Sequence, residues 1–435
     1  MSEKDRSVSR RDFMRGAAAA GAALGSFTIL GSTAKGAGKV FKVGLVGCGG
    51  RGNGALKQHL NAAKVLNDKL NLGIEIKVVA TADFFKNKAE RTGKAHGVPK
   101  ERCFGGPTAY KKLLDMDLDT MLTATPPVFR PAHFDAAVKA GKNVFMEKPV
   151  AVDAPGVRKV IAAGEVAEKK GLLVVAGTQR RHQPNYNQRA QEIQEGAYGR
   201  IMGGRVAWNM GRIFHNRNMN PTSPDVLCRG GNWQLWIEMS GDHICEQHVH
   251  NLDVANWYLG THPTSAGGFG HRARRRAGNM YDFFSADLEY RLADGRTVYV
   301  HSMCRQVGGC WNWVGEQFTY EKDKPKDFKL SKPVRYSEIP QIRGGHNQEH
   351  VNMLYYLVKG KPLNEARNVA ESTGTAIMAR DAAYSGRRMR WNEMFDDPKK
   401  NPKIYNHQLK PTAVDFETGN ITYPKDGVIP VPGKA

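Results

Sequence analysis

A glycine-rich turn near the start of the chain has the residue types and spacing to bind a dinucleotide. A short apolar run, residues 41–46, precedes Gly47, Gly49 and Gly52, which stand at G-x-G-x-x-G spacing before a segment that can open a helix. The first glycine permits a tight turn, the second lets the backbone approach a pyrophosphate, and the third lets the helix pack closely against the strand. The start of the helix then faces the phosphates. The sequence therefore predicts a strand, a turn and a helix that hold a dinucleotide.

A carboxylate after the next predicted strand fits the ribose of the same cofactor. The strand covers Ile74 to Thr81, and Asp83 follows it, where a carboxylate accepts hydrogen bonds from ribose hydroxyls. Because this carboxylate would repel a 2′-phosphate, we expect NAD rather than NADP. Asp83 lies further along than the usual spacing of about 20 residues, so residues 62–73 are predicted to be an insertion or a longer helix and loop. The alternative is an ordinary turn residue at a strand end.

A predicted helix over residues 242–259 carries side chains suited to proton transfer. Glu246 and His250 are four residues apart and Asp253 follows three further on, so a regular helix places all three on one face. Oxidation of an alcohol needs a base that takes the hydroxyl proton as hydride leaves the same carbon, and a histidine or a lysine can do this. A carboxylate beside the imidazole would fix its tautomer and hold its proton. The alternative for His250 is a buried histidine with a structural role.

The order of the predicted elements indicates how these residues are positioned. From Lys39 to Pro149 strands alternate with helices, as a doubly wound parallel sheet requires. After Arg200 the strands are longer and alternate in polarity, and a hairpin turn at residues 294–295 joins two of them. We therefore predict an α/β fold with an N-terminal Rossmann domain and a C-terminal α+β domain whose sheet is open and mostly antiparallel. The predicted segments are a signal peptide at residues 1–38, the Rossmann domain at 39–165, the α+β substrate and oligomerisation domain at 166–410, and a C-terminal arm at 411–435.

The first 38 residues have the features of an export signal. Residues 9–14, SRRDFM, match the twin-arginine pattern S-R-R-x-F-x, and a weakly hydrophobic segment and a run of small residues follow. The twin-arginine route carries folded proteins, so a bound cofactor would be exported with its protein. We therefore expect a periplasmic or otherwise exported protein. The alternative is a buried alanine-rich helix.

Composition indicates what to expect for nucleic-acid binding, membrane insertion and disulfide bonds. The 435-residue chain has a formal net charge of +22, but its basic residues are scattered and no nucleic-acid-binding motif accompanies them, so no nucleic-acid partner is expected. No stretch after the N-terminal segment is long and apolar enough for a stable membrane span. The six cysteines include no C-x-x-C pair, so free thiols are expected, and a bond between Cys304 and Cys310 stays open.

Five motifs are spread along nearly all of the chain after the signal segment. They are GLVGCGGRG, ATPP, FMEKPVAVD, EQHVHNLDVANWYLG and ARDAAYSGRRMRW. In this order they resemble the glucose-fructose oxidoreductase, inositol dehydrogenase and MocA (Gfo/Idh/MocA) family. The resemblance implies a Rossmann domain, a second domain whose open sheet face carries the substrate or the oligomer contact, and hydride transfer on a sugar or cyclitol hydroxyl. It also implies a homo-oligomer, either a dimer or a tetramer.

The resemblance makes Lys148 of the EKP motif the catalytic lysine, with an expected cis peptide bond before Pro149. His250 corresponds to the family's helix histidine. The family has an aspartate four residues before that histidine, where this chain has Glu246, and the small residue usual between them is His248 here. These departures leave the detailed proton path open. The predicted catalytic residues are Lys148, His250 and Glu246.

The remaining predicted site residues lie in the glycine turn, at strand ends and among tryptophans. The cofactor is expected to contact Gly47, Cys48, Gly49, Gly50, Arg51, Gly52, Asp83, Thr125, Pro126, Glu147 and Lys148. The substrate is expected to contact Arg180, Arg181, His182, Trp233, Trp236 and His250. Arginines suit polyhydroxylated or acidic ligands, and tryptophans stack on sugar faces, although in a sheet domain they are equally often core residues.

The main hypothesis is an exported, NAD-dependent oxidoreductase that acts on a hydroxyl or keto group of a sugar, cyclitol or glycoside with a tightly bound cofactor. One alternative is a glycoside hydrolase that uses NAD in a cycle of oxidation, elimination and reduction. Another is a metal-binding hydrolase with His243, Glu246 and His250 as ligands, but the H-E-x-x-H pattern is absent and no metal is expected. A non-catalytic sugar-binding protein is the last alternative.

Overall fold

The computed structural model describes residues 39–211 and 220–433, and the predicted signal segment lies outside them. Six parallel strands form the first sheet, in the order β3-β2-β1-β4-β5-β6. They are β1 (Lys39–Val46), β2 (Ile74–Asp83), β3 (Cys103–Gly105), β4 (Thr120–Thr123), β5 (Asn143–Met146) and β6 (Val174–Ala176). The predicted doubly wound parallel sheet is confirmed. Its last strand lies beyond residue 165, the predicted end of the Rossmann domain, so the sheet extends further along the chain than expected.

Helices connect these strands. They are α1 (Gly50–Leu70), α2 (Lys86–Ala95), α3 (Ala109–Leu114), α4 (Arg130–Lys139) and α5 (Ala154–Lys169). The 21 residues of α1 account for the long spacing between the glycine turn and Asp83. Its buried residues include Ala55, Leu56 and Leu66, which fall on one stripe at helical spacing. Of the two explanations offered by the sequence, the longer helix is the one found.

The second sheet has six strands in the order β11-β7-β10-β9-β8-β12. They are β7 (Ile201–Met210), β8 (Ser265–His271), β9 (Phe283–Arg291), β10 (Thr297–Gln306), β11 (Trp313–Tyr320) and β12 (Met389–Arg390). β7 and β10 pair in parallel, and every other neighbouring pair is antiparallel. The predicted mostly antiparallel sheet is therefore confirmed. Gly295 has a φ of +83° in the turn between β9 and β10, a conformation that favours glycine.

Helices of the second half cover one face of this sheet and also return to the first sheet. They are α6 (Pro184–Gln194), α7 (Pro224–Cys228), α8 (Ile237–Ser240), α9 (Val249–Leu259), α10 (Gly345–Lys359), α11 (Ala366–Ser385), α12 (Pro402–Tyr405) and α13 (Ala413–Thr418). α9 and α11 pack against the second sheet, α11 also contacts α5, and α10 packs against α1. The later chain therefore contributes directly to the surroundings of the glycine turn.

The other face of the second sheet is uncovered in the described residues. On β10, Val298 and Val300 are buried, whereas Tyr299 between them is 59% exposed. On β8, Phe269 is 66% exposed, and strand pairing places it beside Ser285 of β9. Exposed aromatic side chains on an uncovered sheet face suit contact with another protein.

The last segment, predicted as a C-terminal arm, contains the short helix α13. Thr412 Oγ1 accepts a hydrogen bond from Asp415 N at 3.2 Å, and the Asp415 carboxylate accepts one from Thr412 N at 2.7 Å. This reciprocal pair is a capping box. Phe416 is buried against Phe84 and Phe129 of the Rossmann domain. One capped turn with an aromatic side chain thus anchors this arm to the Rossmann domain.

All six cysteines are free. Cys304 is buried and Cys310 is exposed, so the pairing left open by the sequence is not formed. Within residues 39–211 and 220–433, no helix has both the length and the apolar character to cross a bilayer.

Candidate active site

The glycine turn leaves the start of α1 open to a ligand. Gly47 has a φ of +93°, and its N–H donates to Ala82 O of β2 at 2.8 Å, which fixes the start of the turn to the neighbouring strand. A Cβ on Gly52 would overlap the Gly47 carbonyl oxygen, whereas a Cβ on Gly49 or Gly50 would meet nothing within 4 Å. No side chain caps the helix, so its first N–H groups suit a phosphate acceptor. The turn fits a dinucleotide pyrophosphate.

Asp83 is fixed at the end of β2 by two backbone N–H groups. Cys48 N donates to its Oδ2 at 2.7 Å, and Phe85 N donates to its Oδ1 at 2.9 Å. Burial raises the pKa of this carboxyl above its usual range. Since each carboxylate oxygen has two lone pairs, Asp83 can still accept a ribose hydroxyl. It also ties the second strand to the glycine turn, a structural role that the sequence pattern did not indicate.

One cavity runs along the glycine turn and Asp83, between walls from both halves of the chain. Its lining includes most of the predicted cofactor residues: Gly47, Gly49, Gly50, Arg51, Asp83, Thr125 and Pro126. Phe84, Tyr110 and Phe129 add an aromatic wall that suits a nucleotide base. Trp233, which was predicted to contact substrate, lines this cavity as well. Its position favours a contact with the cofactor.

The EKP motif follows β5 and joins the two halves of the site. Glu147 is buried, and its Oε1 lies 2.8 Å from Arg51 Nε in the glycine turn. Lys148 Nζ donates to the Glu246 carbonyl oxygen at 2.5 Å and lies 4.0 Å from the Glu246 carboxylate. The peptide bond between Lys148 and Pro149 is cis, as expected. The lysine therefore directly contacts the helix predicted over residues 242–259, which we call the polar helix.

The polar helix is not regular. Residues Ile244–His248 form a π-helix that leads into α9. A π-turn contains more residues than an α-turn, so side chains four apart no longer lie one above the other. His250 Nδ1 and Glu246 Oε1 are both buried without a hydrogen-bond partner in the described part of the chain. The predicted bond between this carboxylate and this imidazole is therefore not formed.

His250 is surrounded by cationic and aromatic groups. Its ring stacks on Trp208, with 5.9 Å between ring centroids. Burial lowers the pKa of His250 well below its usual value, and the charges of Lys148 and Arg180 act in the same direction. Burial also raises the pKa of Glu246, against the opposing charge of Lys148. The site therefore holds a neutral imidazole that can accept a hydrogen bond from a hydroxyl group.

Arg180 lies beside this imidazole, at the border of the second sheet. Its guanidinium forms an ion pair with Glu316 and lies 5.9 Å from the Trp208 ring centroid. Asn251 Nδ2 donates to the same Glu316 carboxylate at 2.6 Å. These contacts hold the arginine in place next to His250, where a substrate hydroxyl would bind.

Other residues predicted to contact substrate are instead internal. Arg181 Nε donates to both carboxylate oxygens of Asp253, at 3.0 and 2.9 Å, and both side chains are buried. His182 lies 3.4 Å from Glu365 and is fully enclosed. Trp236 has no exposed surface and packs in the main core. This geometry favours structural roles for Arg181, His182 and Trp236, because their polar or aromatic surfaces are already used within the protein.

Two residues around the site were missed from the sequence. Arg130 is buried beneath it, where its guanidinium donates to Thr125 O at 2.8 Å and its charge acts on Glu246 and Glu147. His346 stands at the start of α10, and its charge acts on His250. Both come from segments with no recognised motif, although the run GGHNQEH around His346 is rich in polar groups for the start of a helix.

A metal centre finds no support in the geometry. Within residues 39–211 and 220–433, no group of three or more His, Cys, Asp or Glu residues is arranged to hold a metal ion. In a regular helix, His243, Glu246 and His250 would lie on one stripe. In the structure they do not form a ligand set, because the π-turn at Ile244–His248 changes their spacing.

Comparison with known proteins agrees with the fold. Residues 41–178 match the Gfo/Idh/MocA family, an oxidoreductase family with an NAD-binding Rossmann fold. The WlbA dehydrogenase from Bordetella pertussis, solved in complex with NADH and UDP-GlcNAcA, superposes with a TM-score of 0.60 at 19% identity, covering 81% of this chain and 98% of that one.

Curated relatives match over part of their length. Inositol 2-dehydrogenase of Rhizobium meliloti (strain 1021) is 24% identical over 236 residues, which are 54% of this chain and 63% of that protein. The dTDP-3,4-didehydro-2,6-dideoxy-alpha-D-glucose 3-reductase of Actinomadura kijaniata is 35% identical over 162 residues, which are 37% of this chain and 43% of that protein. The chain thus matches less than two thirds of the length of these relatives.

Proposed function

We propose that the protein is an NAD-dependent oxidoreductase, because residues 41–178 match the Gfo/Idh/MocA oxidoreductase family, which has an NAD-binding Rossmann fold. It acts on a hydroxyl or keto group of a sugar, cyclitol or glycoside and keeps its cofactor tightly bound. The names of the two curated relatives, an inositol dehydrogenase and a deoxysugar reductase, support this substrate class.

The position of Lys148 carries the proposal. It follows Glu147, which pairs with Arg51 of the glycine turn at 2.8 Å. Its own Nζ reaches across to the Glu246 carbonyl oxygen at 2.5 Å, and its charge acts on His250. One amine thus stands between the turn that fits a pyrophosphate and the imidazole that can accept a hydroxyl hydrogen bond.

Each residue then has a role that its environment supports. Bound NAD supplies the hydride acceptor of the reaction. Lys148 takes the hydroxyl proton as the carbon–hydrogen bond breaks, because its amine is the basic group nearest to both halves of the site. His250 accepts a hydrogen bond from the substrate and orients it, since burial keeps the ring neutral. Arg180 and Trp208 form the polar and aromatic sides of the sugar site.

The test uses the native protein with whatever cofactor it carries. Mass spectrometry of material released by denaturation is expected to find NAD. Inositols, aldoses and glycosides are then added singly, and the absorbance of reduced nicotinamide on the protein is followed. We expect a subset of sugars to reduce the cofactor and a second sugar to reoxidise it. Absence of both a dinucleotide and any reduction contradicts the proposal, and release of an aglycone without net NADH favours the hydrolase alternative.

Export is part of the proposal and is supported by the SRRDFM motif at residues 9–14. We expect the full chain in the periplasmic fraction and a variant with Arg10→Lys and Arg11→Lys in the cytoplasm. Equal distribution of both proteins between the fractions would remove this part of the proposal while leaving the enzymatic part intact.

A homo-oligomer is also proposed, with the uncovered face of the second sheet as its interface. Exposed Tyr299 and Phe269 on that face support it. Light scattering is expected to give a dimeric or tetrameric mass for the native protein and a lower mass for a variant with Tyr299→Lys and Phe269→Lys. A monomeric native protein contradicts this part.

A further inference from the structure

We propose that His346, supported by Glu349, is a second proton-transfer residue of this site and passes the substrate's hydroxyl proton from Lys148 to solvent. The proposal rests on the proposed oxidoreductase function, because it concerns the same reaction. His346 would touch the substrate or the water next to it, and Glu349 would act through His346 as a positioning residue.

Close packing fixes the start of α10 at the cofactor edge of the first sheet. A Cβ on Gly345 would overlap the backbone oxygen of Gln179, which follows β6. On the same segment, a Cβ on Gly177 would lie 2.5 Å from the Glu147 carboxylate. Residues 177–179 therefore pack against both α10 and the EKP motif. This edge, at the carboxyl ends of the parallel strands, is where ligands bind in doubly wound folds.

The orientation of the His346 ring suits transfer between an enclosed group and solvent. Its Nδ1 is buried and lies 3.5 Å from Glu349 Oε1. The side chain as a whole is 42% exposed, whereas that of Glu349 is fully enclosed. The ring thus presents Nδ1 to the carboxyl group and leaves Nε2 on its more exposed side.

Glu349 has no competing partner. Neither of its carboxyl oxygens has a hydrogen-bond partner in the described residues, and both are buried. Burial and the charge of Glu147 raise the pKa of Glu349 well above its usual range. The other charges that act on it are those of His182, Arg51 and Glu365. An enclosed carboxyl group that lies 3.5 Å from the His346 ring is suited to hold that imidazole in a fixed orientation.

The charges around His346 include those of the proposed reaction centre. Glu147, Arg51 and Lys148 act on it, and it acts on His250 in turn. Exposure separates these groups: the Lys148 side chain is only 14% exposed, against 42% for His346. Among the titratable groups of the site, His346 is therefore suited to release a proton to solvent.

The proposed step balances as follows. When the alcohol is oxidised, its carbon–hydrogen bond breaks and the hydride, with both electrons, goes to the nicotinamide cofactor. The hydroxyl proton goes to Lys148, then to Nε2 of His346 through a bound hydroxyl or water, and finally to solvent. Reduction of a second sugar runs the same route in reverse, so no further oxidant or reductant is needed.

The experiment compares the native holoenzyme with His346→Gln, which keeps much of the side-chain volume and removes the titration. Turnover with a substrate sugar in dilute buffer is expected to fall by about 100-fold. Added imidazole is expected to restore turnover in proportion to its concentration, because a small base can replace the missing proton carrier. Glu349→Gln is expected to retain the melting temperature and to shift the pH profile of turnover. His96→Gln, at the half-buried residue that ends α2, is the matched control and should behave as the native protein.

The outcomes separate the two proposals. If the native protein never reduces its cofactor, the proposed function fails and this inference fails with it. If the native protein is active but His346→Gln turns over normally, or loses activity without rescue by imidazole, the inference alone is overturned. A Glu349→Gln variant whose pH profile matches the native one overturns the positioning role of Glu349.

Discussion

At the glycine turn, the first wall of the site, the groups that face a ligand are mainly backbone. In the helix that Lys148 contacts, the second wall of the site, they are enclosed side chains. Gly49 and Gly50 have open space where a side chain would stand, and the start of α1 carries no side-chain cap. In the second wall, Glu246 and His250 are buried, and each has a polar atom that lacks a partner within the described part of the chain. Their pKa values are shifted by burial, upward for Glu246 and downward for His250.

The difference reflects two tasks. Backbone N–H groups bind phosphates without any need for ionisation, so the first wall needs space and a fixed turn. Proton transfer instead needs groups whose ionisation is adjusted, and burial provides that adjustment at a cost in stability. We therefore expect substitutions on the first wall to act through cofactor binding, and those on the second to divide between chemistry and stability.

The largest expected effect is at the contact between the two walls. Lys148→Met removes the proposed base and is expected to lower the rate of cofactor reduction by about 1,000-fold, with the NAD content nearly unchanged. Single-turnover absorbance measurements on the holoenzyme test this. Lys159→Met, at a half-exposed lysine of α5, is the control. Rapid reduction in Lys148→Met would show that proton transfer does not depend on this contact.

A buried ion pair behind the second wall is expected to matter for folding. Arg181→Met leaves the Asp253 carboxylate without the cation whose Nε donates to both of its oxygens, so it should lower the free energy of unfolding by about 3–5 kcal/mol. The double variant with Asp253→Asn is expected to recover part of that loss, because no unpaired charge remains. Urea unfolding measures both. If Arg181→Met keeps its stability and only raises the KM for sugar, Arg181 belongs to the substrate site after all.

Two glycines of the first wall distinguish an effect on stability from an effect on cofactor binding. Gly52→Ala places a Cβ against the Gly47 carbonyl oxygen, so we expect a loss of about 1–3 kcal/mol in stability. The Cβ of Gly49→Ala meets no described residue beyond its chain neighbours within 4 Å, so the apoprotein should keep its melting temperature while the affinity for NAD falls by about tenfold. Calorimetric titration and thermal unfolding distinguish the two. An unchanged affinity in Gly49→Ala would mean that the cofactor does not approach this turn.

Local sequence predicted the first wall better than the second. The glycine spacing and the position of Asp83 are set by neighbours in sequence, and the structure has the turn as expected. The cis bond before Pro149, which the family resemblance implied, is also present. The face of the polar helix depended on a regular period of 3.6 residues, which the π-turn at Ile244–His248 interrupts. Nothing in the sequence marks that extra residue, so the expected bond between Glu246 and His250 could not have been rejected in advance.

Long-range contacts account for the other differences. Arg181 and Trp236 have the chemistry of sugar-binding residues, but their partners lie far along the chain or in the core. His346 reaches the site only because α10 packs against α1 and the segment after β6. Such encounters are determined by tertiary packing, which periodicity and motif spacing do not describe.

The last expected effect is a change of stability with pH, and it tests whether a further buried carboxyl group of the second half is neutral. Glu238 in α8 is enclosed, both its oxygens lie 3.0 Å from Asn279 Nδ2, and burial raises the pKa of Glu238 from 4.5 to about 7. Between pH 4.5 and about pH 7 the folded chain binds more protons than the unfolded chain, so the free energy of unfolding falls as pH rises through this range. Above the range the loss of unfolding free energy stays constant.

Glu238→Gln has no proton to lose. Relative to the native protein, it should therefore gain unfolding free energy between about pH 5 and about pH 8, by at most on the order of 3 kcal/mol. Urea unfolding of both proteins at the two pH values measures this difference. The two proteins share every other titrating group. A difference in unfolding free energy that does not change with pH would therefore show that Glu238 is ionised inside the fold.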